Sequence, residues 1–236
     1  APRPAIPELK AAETLLENDC LRVRFHKSGA ISSIYDKVAR REVLADGAVG
    51  NRLAVYQDKG DAWDIPMDYA DKKVRFMKLE SCEAKVDGPR AVLRQRYTLN
   101  HSVVEQKIVL TAGSALIEFA TRSTWRECSS MLRTSFPVDI LSKHATYEIQ
   151  FGTIERPTHR NTTWDLAQDE VPAQRWVDLS QGTYGVALLN DSKYGHKIKD
   201  NVLDLNLLRS VPHTGAVVFD DSKLKPGEPN YRYTDQ

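Results

Sequence analysis

The segment Gly60-Asp61-Ala62-Trp63-Asp64-Ile65-Pro66 sets two carboxylates three residues apart around a tryptophan. An indole face covers the apolar C–H side of a sugar ring, and carboxylates accept hydrogen bonds from its hydroxyls. The same residues also suit a loop packed by its own Trp and closed by its Asp side chains, and both readings are open at this point. As the acid and nucleophile of a retaining glycosidase, Asp61 and Asp64 are poorly placed. That chemistry needs carboxyl groups about 5–5.5 Å apart on opposite sides of the scissile bond.

A second constellation runs from Phe151 to Asp165, where a strand breaks into a loop dense in hydrogen-bonding side chains. Arg156 and His159 either face a ligand or belong to an internal network that fixes the loop. The six histidines show no H-x-D, H-E-x-x-H or H-x-x-x-H spacing, so no metal site is read from them. G-x-S-x-G, G-x-G-x-x-G and phosphate-loop motifs are missing as well, and no cofactor is indicated.

These residues must be positioned by short strands. Leu21, Val23 and Phe25 alternate with Arg22, Arg24 and His26, the period of a half-buried strand. Lys27-Ser28-Gly29 then offers turn chemistry before Ile31 and Ile34, which predicts a hairpin. Strand-sized runs recur at 93–99, 103–111, 116–121, 147–151, 184–189 and 203–208. Only Leu9 to Glu17 suggests helix, two turns at most. The fold class expected is all-β, a sandwich or barrel, with little helix.

The chain has 236 residues, 41% hydrophobic and 28% charged, enough for a sizeable core in one domain. Thirty-three basic and thirty-two acidic residues leave a net charge of +1. Basic runs are short, Lys72-Lys73 with Arg75 and the Arg40-Arg41 pair, so no nucleic-acid partner is expected. No apolar stretch has the ~20 residues of a membrane helix, and no membrane partner is expected either. Cys20, Cys82 and Cys128, odd in number and without CxxC spacing, favour a reducing, cytoplasmic compartment, although targeting itself is unreadable. Three N-x-S/T tripeptides, at Asn100, Asn161 and Asn190, have meaning only in a secreted protein.

Three prolines within residues 1–8 read as a tether, and the polar, Pro/Gly-containing stretch from Asp220 to Gln236 reads as a truncated or disordered end.

Longer runs point to a family. Ile154-Glu155-Arg156-Pro157-Thr158-His159 with Asn161-Thr162 and Trp164-Asp165, and then Glu170-Val171-Pro172-Ala173-Gln174-Arg175-Trp176-Val177-Asp178-Leu179-Ser180, resemble the C-terminal region of family 38 α-mannosidases, especially microbial ones. Tyr184 to His196 and Leu205 to Ser210 continue it in order. Upstream, Gly29 to Lys37, Arg41 to Leu44, Gly50-Asn51 and Ala62-Trp63-Asp64-Ile65 match its start. The resemblance covers residues 17 to 210.

It implies a β-supersandwich similar to galactose mutarotase at 17–236, lacking its final strand, with residues 1–16 as linker or the end of a preceding helical region. It also implies a retaining hydrolase of α-mannosidic bonds, whose Asp nucleophile and divalent metal, usually zinc, come from an α/β barrel elsewhere in the parent. The expected partners are therefore an α-mannoside and, within one polypeptide, that barrel and a helical domain. No catalytic or metal role is carried over to any residue here. Position in the motifs makes Asp64, Arg156, His159 and Arg209 substrate-side candidates, with the domain interface as their other reading. The expected function is a non-catalytic domain contributing carbohydrate contacts and scaffold. A self-standing mutarotase-like sugar enzyme and a purely structural docking module are the alternatives.

Overall fold

A computed structural model describes residues 9–60 and 62–211. The proline-rich start, Asp61 and the polar C-terminal stretch lie outside the described residues. Two compact units are found, one formed by the chain up to Val49 together with Met77–Trp125, the other by Gly50–Phe76 and the chain from Arg126 onward.

In the first unit the chain lays down β1 (Lys10–Ala12), β2 (Leu15–Glu17), β3 (Leu21–Phe25), β4 (Ile31–Asp36) and β5 (Arg41–Glu42) as one antiparallel sheet in sequence order. It then adds β6 (Ala54–Gln57), a 3-10 turn Tyr69–Asp71 and β7 (Arg75–Phe76) to the second unit. Returning, it forms β8 (Lys78–Asp87), β9 (Arg90–Leu99), β10 (Ser102–Thr111) and β11 (Ile117–Thr124), a second antiparallel sheet of the first unit.

The remaining strands belong to the second unit. They are β12 (Ser130–Pro137), β13 (His144–Ile149), β14 (Gly152–Pro157), β15 (Val171–Pro172), β16 (Trp176–Gln181), β17 (Tyr184–Leu189), β18 (Gly195–Lys199) and β19 (Val202–Ser210). They divide, with β6 and β7, into a six-stranded sheet of order β15-β18-β19-β12-β6-β7 and a four-stranded sheet of order β14-β13-β16-β17. Between β14 and β15 lies α1 (Thr163–Ala167), the single α-helix among the described residues. No helix there is long and apolar enough to cross a membrane.

All-β with little helix is therefore correct, whereas the expected supersandwich similar to galactose mutarotase is not what forms. The strands are shared among four small sheets of five, four, six and four strands. The supersandwich came with the family resemblance, and patterning could not check it, because period 2 marks a half-buried strand but not its neighbours and any small antiparallel sheet satisfies it. The two helical turns read at Leu9 to Glu17 are likewise the β1–β2 hairpin, because a run too short to nucleate helix is captured by pairing with β3.

In the first unit, alternation places Leu21, Val23 and Phe25 in the core as expected. Val104, Gln106, Ile108 and Leu110 do the same along β10. The two sheets are joined by Asn18, whose Nδ2 donates to the carbonyls of Thr111 at 2.7 Å and Ser114 at 2.8 Å. Gly29, at φ +84°, takes the β3–β4 turn, and an added Cβ would stand 2.2 Å from the Tyr97 hydroxyl. Only glycine fits there.

The six-stranded sheet has two unlike faces. Val55, Leu132, Phe136, Leu203, Leu205 and Ile198 are buried and share one face by register. Fully burying each such side chain contributes about 1.5–3 kcal/mol. Tyr56, Met131, Arg133, Asp204, Asn206, Lys197 and Arg209 share the other. A bulge between Leu132 and Arg133 keeps both Arg209 and Asn206 on this polar face, on either side of the irregularity.

Candidate functional site

All of the candidate residues lie in the second unit. Asp64 and Arg209 are brought together. Arg209 Nε donates to Asp58 Oδ2 at 2.7 Å, and its Nη2 donates to the Asp64 carbonyl at 2.7 Å. The Asp58 side chain is fully buried, and its Oδ1 accepts from the Gly60 N–H at 3.1 Å. Asp58 thus closes the loop around residue 60 from within, and Arg209 ties that loop to β19. The Asp64 carboxylate accepts from the Ile65 N–H at 2.8 Å, and Trp63 is exposed. Asp61 is outside the described residues, so the Asp61–Asp64 pair has no geometry to report.

Arg156 and His159 occupy a different stretch, β14 and the loop after it. The Arg156 guanidinium lies 4.7 Å from the centroid of the Tyr147 ring, and burial lowers its pKa against the opposing pull of Tyr147. Its Nη1 is buried without a hydrogen-bond partner. His159 Nδ1 stands 3.3 Å from Asp165 Oδ2, within ion-pair range, yet the angle does not make a hydrogen bond.

Around them the loop is fixed by its own groups. Thr158 Oγ1 donates to the Ser142 carbonyl at 2.6 Å, and the Asp200 N–H donates to the Thr158 carbonyl at 2.7 Å. Thr162 and Asp165 make a capping box that starts α1, with the Thr162 N–H on Asp165 Oδ2 at 3.0 Å and the Asp165 N–H on Thr162 Oγ1 at 3.2 Å. Its hydrogen bonds from Thr162 hold the Asp165 carboxyl below the usual carboxylate range despite partial burial. The T-x-x-D spacing at 162–165 carried that helix start in the sequence.

A larger polar cluster escaped sequence reasoning. Arg133, 1% exposed, sends Nε to Asp204 Oδ1 at 2.5 Å and Nη1 to Glu170 Oε2 at 2.9 Å. Tyr69 donates its hydroxyl to Glu170 Oε1 at 2.5 Å and receives Lys197 Nζ at 3.3 Å. Lys197 also pairs with Asp169, which Arg160 Nε reaches at 2.8 Å.

Burial pushes the Asp204 carboxyl up, opposed by the Arg133 cation. For Asp169 burial also pushes upward, but hydrogen bonding and charge from Lys197 and Arg160 outweigh it and the pKa is lowered. The available signal was Arg133 itself, a charge in the otherwise uncharged run from Ser130 to Pro137.

Among the described residues no group of three or more His, Cys, Asp or Glu side chains is placed to hold a metal ion.

Fold and site together define an all-β module in which charged side chains near the candidate residues tie down loops and join in an internal network. The model of the glycosyl hydrolases family 38 C-terminal domain matches residues 16–222, and the chain belongs to that family. It is 40% identical over 203 residues to alpha-mannosidase 2C1 of Mus musculus, covering 83% of this chain and 19% of that protein. It is 38% identical over 210 residues to alpha-mannosidase G of Dictyostelium discoideum, covering 85% and 19%. The chain thus spans about a fifth of the length of these relatives. A crystal structure of an alpha-mannosidase from Enterococcus faecalis V583 superimposes with a TM-score of 0.74 at 14% identity, over 86% of this chain and 26% of that one. That similarity speaks for the fold alone.

Proposed function

We propose that this chain is the non-catalytic C-terminal domain of a retaining α-mannosidase, lending carbohydrate contacts and scaffold to a barrel and a helical domain elsewhere in the parent. The observation that carries this is the family match over residues 16–222 of a chain that spans only 19% of its α-mannosidase relatives. In this reading the domain begins near residue 17, and a zinc ion and the Asp nucleophile belong to the barrel. The compartment is cytoplasmic, in keeping with an odd cysteine count.

Asp64, Arg156, His159 and Arg209 then lie on the substrate side. Support comes from the exposed Trp63–Asp64 segment and from Arg156 Nη1, a buried donor without a partner. A docking role for these segments is favoured by the exposure of Trp63 and Trp164, 82% and 79%, large apolar areas that a neighbouring domain would cover.

The test is kinetic. The purified chain should show no turnover of nitrophenyl α-mannoside, and hydrolysis by a contaminant-free preparation would refute the non-catalytic role. In the full-length parent, Asp64→Ala and Arg156→Ala should raise KM if the loops meet substrate. Unchanged kinetics with weakened domain association would favour docking instead.

A further inference from the structure

The polar face of the six-stranded sheet holds two buried side-chain atoms without a hydrogen-bond partner, Arg133 Nη2 and Asn206 Oδ1. Their residues stand directly opposite each other in the β12–β19 register. Cβ atoms of such pairs lie about 4.5–5.5 Å apart, so the two side chains leave the sheet as neighbours on one face. The remaining Arg133 nitrogens are engaged by Asp204 and Glu170, which fixes the guanidinium plane. On Asn206, Nδ2 lies on the Gly195 side, 3.6 Å from where a Cβ there would stand.

The chemistry of the missing group follows from its neighbours. Nη2 can only donate, and Oδ1 can only accept. A carboxylate or phosphate would satisfy the first but not the second, and it would face Glu170 and Asp204. An ammonium would satisfy Oδ1 but face Arg133. A hydroxyl accepts from one and donates to the other without adding charge. The surrounding ions are also balanced, Arg133, Lys197 and Arg160 against Glu170, Asp204 and Asp169. Glu170, Asp204 and Lys197 keep 15–16% of their side-chain surface exposed, so the cluster is not sealed from solvent. Their free lone pairs and protons suit further hydroxyls of the same molecule.

We propose that this face is a binding site for a neutral polyol, one of whose hydroxyls bridges Arg133 Nη2 and Asn206 Oδ1. Identifying that polyol as a mannoside rests on the proposed function. The competing source of the same hydroxyl chemistry is a single internal water.

The experiment uses the 236-residue chain with 15N-labelled arginine, titrated with methyl α-mannoside, glycerol, acetate and methylammonium at equal ionic strength. Guanidinium NMR follows Arg133, assigned by its absence in Arg133→Lys. A saturable shift of the Arg133 Nη signals with methyl α-mannoside, and none with acetate or methylammonium, is expected. In Asn206→Leu, which retains both Arg133 ion pairs, binding should weaken about tenfold or more.

Should Asn206→Leu lose its fold by circular dichroism, the ligand series on the unaltered chain still decides. A persistent water cross-peak at Arg133 Nη2 with no response to either polyol overturns the proposal, as does an equal response to acetate. The nitrophenyl α-mannoside assay reports separately on the function. Mannoside binding without turnover supports both, and absence of both binding and turnover overturns the site alone.

Discussion

Replacing Arg133 by methionine keeps most of the side chain's length and removes the cation from between two carboxylates. In the native protein this guanidinium is 1% exposed and holds Asp204 at 2.5 Å and Glu170 at 2.9 Å. Breaking a buried pair by deleting one partner costs about 3–5 kcal/mol, because the charge left behind is uncompensated. Since both carboxylates retain 15–16% exposure, the lower end, about 3 kcal/mol, is expected. With a urea slope of about 1–3 kcal/mol/M, the midpoint should fall by about 1–3 M.

The deficit should depend on pH. Burial already raises the Asp204 carboxyl against the pull of Arg133, and without Arg133 only the weaker pull of Lys197 opposes it. A folded pKa above the unfolded value, about 3.9 for Asp, means that the native state binds more protons. Its contribution to stability is fully present below the unfolded pKa and is lost as pH rises through the folded one. Arg133→Met should therefore lag the native protein more at pH 7 than at pH 5, and adding Glu170→Gln should recover part of the loss. Urea unfolding followed by tryptophan fluorescence at both pH values measures this. A loss below about 1 kcal/mol at pH 7, or an equal loss at both, would refute the reasoning.

Other perturbations have equally definite outcomes. Gly29→Ala must place a Cβ at φ +84° and 2.2 Å from the Tyr97 hydroxyl, so a loss of about 2–4 kcal/mol is expected in thermal or urea unfolding. Tyr97→Phe in that background should return only the steric share. Arg209→Met leaves the Asp58 carboxylate buried without its cation and should cost about 3–5 kcal/mol, with the loop around residue 60 the first segment to gain hydrogen exchange. Lys197→Met acts on Asp169, whose folded pKa is lowered, so that its contribution exists above about pH 4 and is lost as pH falls through the folded value. The variant should be less stable at neutral pH and show a flatter acid limb in a stability–pH profile.

The all-β class and most strand positions were legible because alternation of burial is a local property. Leu21, Val23 and Phe25, the hairpin through Gly29 and the strand Tyr184–Leu189 needed nothing beyond side-chain type and turn chemistry. Family membership was legible too, since long ordered runs such as 154–180 carry more information than any single spacing. Sheet partition was not. Patterning is silent on which strands pair, and β6 and β7 leave the first unit in the midst of its strands to join β12 and the 3-10 turn.

The candidate side chains divide in the same way. Their polarity and loop positions could be read directly, but the ties of Arg209 to Asp58, and of Arg133 to Glu170 and Asp204, join residues 151, 37 and 71 positions apart. Contacts at that separation depend on the register of β12 against β19 and on what packs over the polar face. Residue types alone thus determined a β-rich module of the mannosidase family. The tertiary structure decided which of its charges are paired and buried, because only a folded sheet brings them within reach of one another.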